Sequence, residues 1–268
     1  MPQLSAVTPQ RFAGKAWKRQ SGYTFAAQAS ILPIAMTELA KLVPVLPLIL
    51  VKTESGFQLV AITALQPGMN LFVAPDGRWL GDYVPATLRD YPFRLVKPKD
   101  RKDSILCFDE DSGLLVEAGQ GEAFFDEAGT PSQAVKDTLD SLSQMERNRL
   151  VTQTAVDALQ AAGLIQLWPL KVQQGDEVVA REGLYRINET ALNALDAATL
   201  HGLRNKGALA LAYAQLLSMN QLSVLKKLSL AQAQMQAKIQ AKAASVAQGL
   251  AVLQGFGLSQ DDGTLRLS

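Results

Sequence analysis

The segment Phe57-Gln58-Leu59-Val60-Ala61-Ile62, followed through the turn signal Gln66-Pro67-Gly68 by Asn70-Leu71-Phe72-Val73, reads as two short strands joined by a loop. Pro75-Asp76-Gly77 marks a second turn, and Tyr91-Pro92-Phe93-Arg94-Leu95-Val96 and residues 104–109 add two more apolar runs of strand length. Runs this short, linked by tight turns, predict an antiparallel sheet over residues 55–110. Upstream, apolar density rises from Tyr23, while Pro33, Pro44 and Pro47 forbid a long helix. Residues 42–51 are the most hydrophobic stretch, and at about ten residues they fall well short of the roughly twenty that a bilayer core requires. They read as a buried extended piece, and no transmembrane segment is expected.

Downstream the period changes from two to that of a helix. Thr130-Pro131-Ser132-Gln133 has the form of a capping box with Thr130 as N-cap, Pro131 at the first helical position and Gln133 at the third. Val135, Leu139, Leu142 and Met145, then Val151, Ala155, Ala158 and Leu159, predict two helices or one bent helix across residues 131–162. Apolar runs at residues 164–172 and 178–187 flank Gln173-Gln174-Gly175-Asp176-Glu177 and suit a β-hairpin. Asn188 caps a short helix reaching Thr199, and a long helical pattern follows Gly202, with Leu209, Tyr213, Leu216 and Leu217 on an expected core face. In residues 229–250, rich in Ala, Gln and Lys, Met235, Ile239, Ala243, Val246, Leu250 and Leu253 trace one narrow apolar stripe, which reads as intramolecular or weak packing, with pairing between chains as the alternative. The fold class is therefore α+β, a mostly antiparallel sheet with a β-hairpin and a helical C-terminal half. Residues 1–22 are set apart as an N-terminal arm, 23–228 as one α+β domain, and 229–268 as a helical tail.

Composition narrows the function classes. Lys plus Arg number 26 and Asp plus Glu 25, so no net field steers nucleic acid or an anionic membrane. Arg78, Arg89, Arg94, Lys97, Lys99, Arg101 and Lys102 form a local basic cluster, after which residues 103–127 carry only acidic charges. The amino terminus lacks the apolar core of a Sec signal, which makes the cytoplasm the default and leaves export by another route open. One cysteine, Cys107, excludes an internal disulfide, and its setting in Ile105-Leu106-Cys107-Phe108 is that of a buried small hydrophobe. The one histidine, His201, has no second His or Cys near it for a zinc set.

No phosphate-binding glycine loop and no G-x-S-x-G elbow is present. Asp109-Glu110-Asp111-Ser112-Gly113 imitates the start of a calcium loop but lacks its third acid and its sixth-position glycine, and reads as a solvated acidic turn. No metal and no cofactor is expected. The densest chemistry lies between residues 70 and 94, where Phe72, Trp79, Tyr83, Tyr91 and Phe93 interleave with Asp76, Arg78, Asp82, Arg89 and Asp90. Flat rings supply contact area and arginines fix orientation, so Trp79, Arg89, Tyr91 and Arg94 are the candidate partner-binding patch. Pro92 cannot donate to a ladder, which places its strand at a sheet edge or beside a bulge.

Asn70-Leu71-Phe72-Val73, Gly77-Arg78-Trp79, Tyr83-Val84-Pro85-Ala86 and Arg89-Asp90-Tyr91-Pro92-Phe93, in that order and spacing, resemble the central signature of SapC proteins. Leu106-Cys107-Phe108-Asp109, Gly183-Leu184-Tyr185-Arg186-Ile187-Asn188-Glu189 and the helix with Gly207-Ala208-Leu209 and Ala212-Tyr213-Ala214-Gln215-Leu216 extend the resemblance over residues 23–228. The resemblance implies bacterial surface-layer or envelope biology, or an accessory role beside flavin-dependent halogenases and outer-membrane uptake receptors; it supplies no catalytic residues. The expectation is a non-enzymatic binding or envelope-associated protein with a protein or surface-layer partner. The alternative is an enzyme or accessory factor acting on a peptide or carbohydrate, with Asp82, Asp109 or Glu110 as acid/base candidates. With no strong ligand set in the chain, EDTA is expected to leave the melting temperature unchanged; a fall of many degrees would point back to the Asp109 loop.

Overall fold

The structure is a computed structural model that describes residues 3–98, 103–174 and 177–255. Its elements run β1 (Leu4–Ala6), α1 (Pro9–Phe12), β2 (Lys15–Trp17), β3 (Ile31–Pro33), α2 (Leu39–Leu42), β4 (Leu48–Thr53) and β5 (Gly56–Ile62). Then follow β6 (Phe93–Val96), β7 (Ile105–Asp109), β8 (Leu115–Glu117), β9 (Glu122–Ala123) and the long helix α3 (Gln133–Ala161). The chain continues with β10 (Ile165–Leu167), β11 (Leu170–Gln174), β12 (Glu177–Arg181), β13 (Leu184–Ile187), α4 (Glu189–Asn193), α5 (Ala197–Asn205), α6 (Ala208–Ser218) and α7 (Leu222–Gly255). Two compact units result, Met1–Leu225 and Lys226–Ser268.

The first unit is α+β, and its strand pairings are antiparallel. Its largest sheet has the order β10-β13-β4-β5-β3, a smaller one the order β1-β7-β6, a third β8-β2-β9, and β11 pairs with β12 as a hairpin. That hairpin's expected tip, Gly175 and Asp176, lies outside the described residues. β6 is an edge strand, one of the two placements that Pro92 just before it allowed. Residues 1–22, set apart above as an arm, supply β1 and β2 and bury Phe12, Ala16 and Trp17. Phe12 and Trp17 meet Phe93, Phe108 and Phe124 in an aromatic core that Val135 and Leu142 of α3 close. α3 is a single helix of 29 residues, about 43 Å long. Its first half therefore lies on this core while Gln153 farther along donates to the Phe57 carbonyl of β5 at 2.9 Å.

Three local expectations are corrected. Asn70-Leu71-Phe72-Val73 is not a strand: the Asn70 carboxamide oxygen accepts from the Phe72 amide at 3.0 Å, and this local turn competes with a ladder, leaving one bridge between Val73 and Trp79. The N-cap of α3 is Ser132, whose hydroxyl accepts from the Val135 amide, because Pro131 is held extended by a bridge to Phe125. The helix begun at Asn188 stops at Asn193, and Asp196 caps a fresh one, α5.

The expected core face of α6 is also reversed. Tyr213 and Leu217 are exposed, and the helix buries Ala208, Leu211, Ala212, Gln215 and Ser218 instead. The reason is hydrogen bonding. Gln215 Nε2 donates to the Leu48 carbonyl at 3.0 Å, its Oε1 accepts from the Ile187 amide at 2.9 Å, and the Ser218 hydroxyl accepts from the Leu48 amide at 2.9 Å. Small neighbours let α6 come close enough to β4 and β13 for these contacts. The helical run Ala208–Ala243 is long and apolar enough, by length and composition alone, to cross a membrane. Its first eleven residues nonetheless turn their buried face onto the sheet, as a core helix does.

In the second unit α7 continues as a helix, and Leu230, Met235 and Val246 are exposed on it. The side chains of Ile239, Leu250 and Leu253, the remaining large members of the stripe, lie outside those described.

Gln215→Leu should strand a buried carbonyl and a buried amide, costing about 3 kcal/mol. Gln215→Glu should also destabilise, since a carboxylate cannot donate to Leu48. Urea titration checks this as a lower midpoint at unchanged slope.

Candidate functional site

The signature segment winds around one buried carboxylate. Glu38, in the 3-10 turn Met36–Glu38 that leads into α2, is 6% exposed. Its Oε1 accepts from the Ala86 amide at 2.7 Å and the Tyr83 hydroxyl at 3.0 Å, and its Oε2 accepts from the Ala35 amide at 3.2 Å. Three donors replace the water that burial removes. Burial, followed by the Glu38 charge and hydrogen bond, pushes the Tyr83 phenol above its ordinary pKa, so at neutral pH it stays a donor.

From Tyr83 the predicted patch is assembled outward. Trp79 donates its indole N–H to the Tyr83 carbonyl at 2.9 Å. The Arg89 guanidinium lies 4.8 Å from the Tyr83 ring centroid and donates twice to the Val84 carbonyl, at 3.1 and 2.8 Å. Trp79 is half-buried and meets Phe72 at 5.5 Å and Tyr23 at 5.8 Å between ring centroids; Tyr23 leads to Phe25 at 6.1 Å, and Phe25 stacks on Tyr91 at 3.8 Å, within 3° of parallel. Tyr91 thus ends a row of five rings that begins at Phe72. Arg94 is exposed on β6. Its charge acts against burial and the Asp109 carboxylate, which together push the Tyr91 phenol up. Trp79 and Arg89 therefore meet at Tyr83, Tyr91 joins them through Phe25 and Tyr23, and Arg94 lies beyond Tyr91.

The stacked pair opens on a shallow cleft of about 380 Å³. Gln20, Ser21 and Thr24 line it together with Asp111, Ser112 and Leu114. Asp111 is fixed from both ends: its carboxylate accepts from the Gln3 amide at 3.0 Å and its own amide donates to Asp109 at 3.2 Å. The Gln20 side chain donates to the Leu88 carbonyl at 2.9 Å, which leaves its buried Oε1 without a donor among the described residues. Phe25, Gln20, Asp111 and Glu38 were missed as site residues. The first two lie where no period runs, Asp111 belongs to a turn whose sequence reads as solvated, and a carboxylate amid Ala35, Leu39 and Leu42 is the one available signal for Glu38.

The proposed acid/base candidates separate. Asp82 is exposed, Asp109 is buried and caps the turn Glu110–Ser112, and Glu110 pairs with Arg11, whose hydrogen bond holds its carboxyl below the usual range. Burial pushes the Cys107 thiol up, which disfavours the thiolate. His201 is exposed beside Asn205 on α5. Among the described residues no group of three His, Cys, Asp or Glu side chains could hold a metal ion. The cleft can supply an aromatic floor, hydroxyl and amide partners, and one carboxylate.

Glu38→Gln should cost about 2 kcal/mol, because its amide N–H₂ confronts a donor where the carboxylate accepted one. Tyr83→Phe should cost about 1 kcal/mol, and in the double variant the losses should not add, since both report one network. Denaturant midpoints of the three proteins test this.

No curated protein matches the chain, and no solved structure matches it. The family model SapC matches residues 7–225, which takes in β2, the Glu38 turn, the ring row, α3 and α6. The match thus covers most of the first unit and every residue that lines the cleft, and the chain belongs to the SapC family.

Proposed function

We propose that this SapC-family protein works as a non-enzymatic binding protein of the cell envelope, with its partner seated on the Tyr91–Phe25 cleft. The observation that carries the reading is the parallel Phe25–Tyr91 stack flooring an open, mainly polar cleft. An aromatic face offers contact area at little entropic cost, and Ser21, Thr24, Ser112, Asp111 and the Gln20 oxygen, without a donor among the described residues, offer hydrogen bonds around it. That chemistry suits a hydroxyl-rich ring, such as a saccharide of an envelope polymer. Arg94 and Arg89 border the same surface, with different duties: Arg89 holds the Val84 carbonyl, while Arg94 is available to a partner. The envelope setting rests on the family alone.

The test is co-sedimentation of purified protein with envelope fractions of the native bacterium, separated into polysaccharide and protein. Tyr91→Ala and the cleft-filling Ser112→Trp should each weaken retention by the polysaccharide fraction at least tenfold, and Arg94→Ala by a few fold, with melting temperatures near that of the parent. Equal retention of Tyr91→Ala and the parent, or retention by the protein fraction alone, would sink the saccharide reading.

A further inference from the structure

The helix α7 is charged in one sense only. Its 34 residues hold Lys226, Lys227, Lys238 and Lys242 and no Asp or Glu, in a chain whose formal net charge is only +1. Spacing gives three of these lysines a side. At about 3.6 residues per turn, Leu228, Met235 and Val246, seven and eleven residues apart, fall along one line of the helix. Lys227, Lys238 and Lys242, eleven and four residues apart, fall along the line beside it. Met235 and Val246 are 49% and 54% exposed, Leu228 is half-buried, and the three lysines are exposed. Leu230, also exposed, stands apart from both lines.

Charge decides what can cover this face. A second copy would bring lysine against lysine in either orientation, since α7 has no carboxylate to stand at the flanking positions. A passage across a bilayer would put Lys238 and Lys242, midway along the helix, into hydrocarbon. The apolar run Ala208–Ala243 also begins with α6, which Gln215 and Ser218 hold to the sheet. A polyanion such as nucleic acid would use the lysines and leave the apolar line in water. A layer of anionic headgroups serves both lines: the acyl boundary takes the apolar side chains, and the lysine stems lie along the helix and carry their ammonium groups up to lipid phosphates.

We infer that α7 is an interfacial helix that docks the protein on an anionic bilayer surface, lying in the headgroup plane with Leu228, Met235 and Val246 toward the acyl chains and Lys227, Lys238 and Lys242 on lipid phosphates. Binding of this kind joins buried apolar area to attraction by a negative surface, so the loss of either weakens it. The lining of the Tyr91 cleft ends at Leu114 and takes nothing from α7, so this inference and the function proposed for the cleft stand or fall separately.

Co-sedimentation of the full chain with vesicles tests the inference, one set of pure phosphatidylcholine and the other of phosphatidylcholine with one-third phosphatidylglycerol. The mixed vesicles should bind the protein at least tenfold more tightly, and salt at about 1 M, which screens charges beyond about 3 Å, should remove most of that difference. Lys227→Gln combined with Lys238→Gln and Lys242→Gln should lose at least tenfold in affinity for the mixed vesicles. Met235→Gln combined with Val246→Gln, which keeps every charge, should lose a similar factor. Both variants should keep the parent's melting temperature, because the altered side chains are exposed. Binding that does not distinguish the two vesicles, no binding to either, or full binding by either variant would overturn the inference. So would a dimer of the parent that is unaffected by vesicles and lost in Met235→Gln with Val246→Gln, which would give the face to a second copy.

Discussion

The fold depends on one side-chain amide inserted into the largest sheet. The pairings of Leu184 with Val51 and Tyr185 with Leu50 extrapolate to Ile187 opposite Leu48. There the strands part, and Gln215 from α6 stands between them, accepting from Ile187 and donating to Leu48 as a strand peptide would. Ser218 serves the remaining Leu48 amide and donates back to the Gln215 carbonyl at 2.7 Å, so the helix and both strands close one circuit. Two buried backbone groups that would each cost on the order of 1–3 kcal/mol unpaired are satisfied by a single residue. The circuit fixes the rotation of α6, and with it the exposure of Tyr213 and Leu217.

Glu38 plays the corresponding part for the loops. Its carboxylate gathers amides from residues 35 and 86 and the Tyr83 hydroxyl into a buried point, and Thr152 of α3 accepts from the Met36 amide at 2.9 Å just before it. The long helix, the turn before α2 and the signature loop are thereby tied at adjacent residues. Tyr83 then passes order outward, through its carbonyl to Trp79 and through its ring to Arg89.

What was legible in the sequence followed from periodicity and proline. The short apolar run at residues 57–62 and the helical spacing from Val135 to Leu159 needed only local rules, and Pro92 limited the choices for its strand. What was illegible rested on long-range polar contacts. The reversed face of α6 could not be read, because hydrophobicity ranks Leu209, Tyr213 and Leu217 above Gln215 and Ser218, and only the sheet edge beneath explains the choice. Lys15-Ala16-Trp17 gave no period in three residues, yet β2 sits between β8 and β9 and its Trp17 meets Phe93 edge-on at 4.8 Å between centroids. For the site, the signature disclosed Tyr91 but not Phe25, since the stack joins residues 66 positions apart.

That separation shows what the signature residues accomplish. Gly77 has φ +85°, a conformation an L side chain rarely adopts, and its carbonyl accepts from the Tyr23 amide at 2.7 Å. A Cβ on Gly22 would come within 3.1 Å of that same carbonyl, so both glycines are required for the two segments to touch. Asn70 secures the same segment from the other side, donating to the Ala26 carbonyl at 3.0 Å. Between these two attachments lies Phe25, held at the height where its ring meets Tyr91 face to face. Asn70, Gly77 and Trp79 thus act first as scaffold: they hold residues 22–26, and the cleft is made where this segment, Tyr91 and the acidic turn at Asp111 come together.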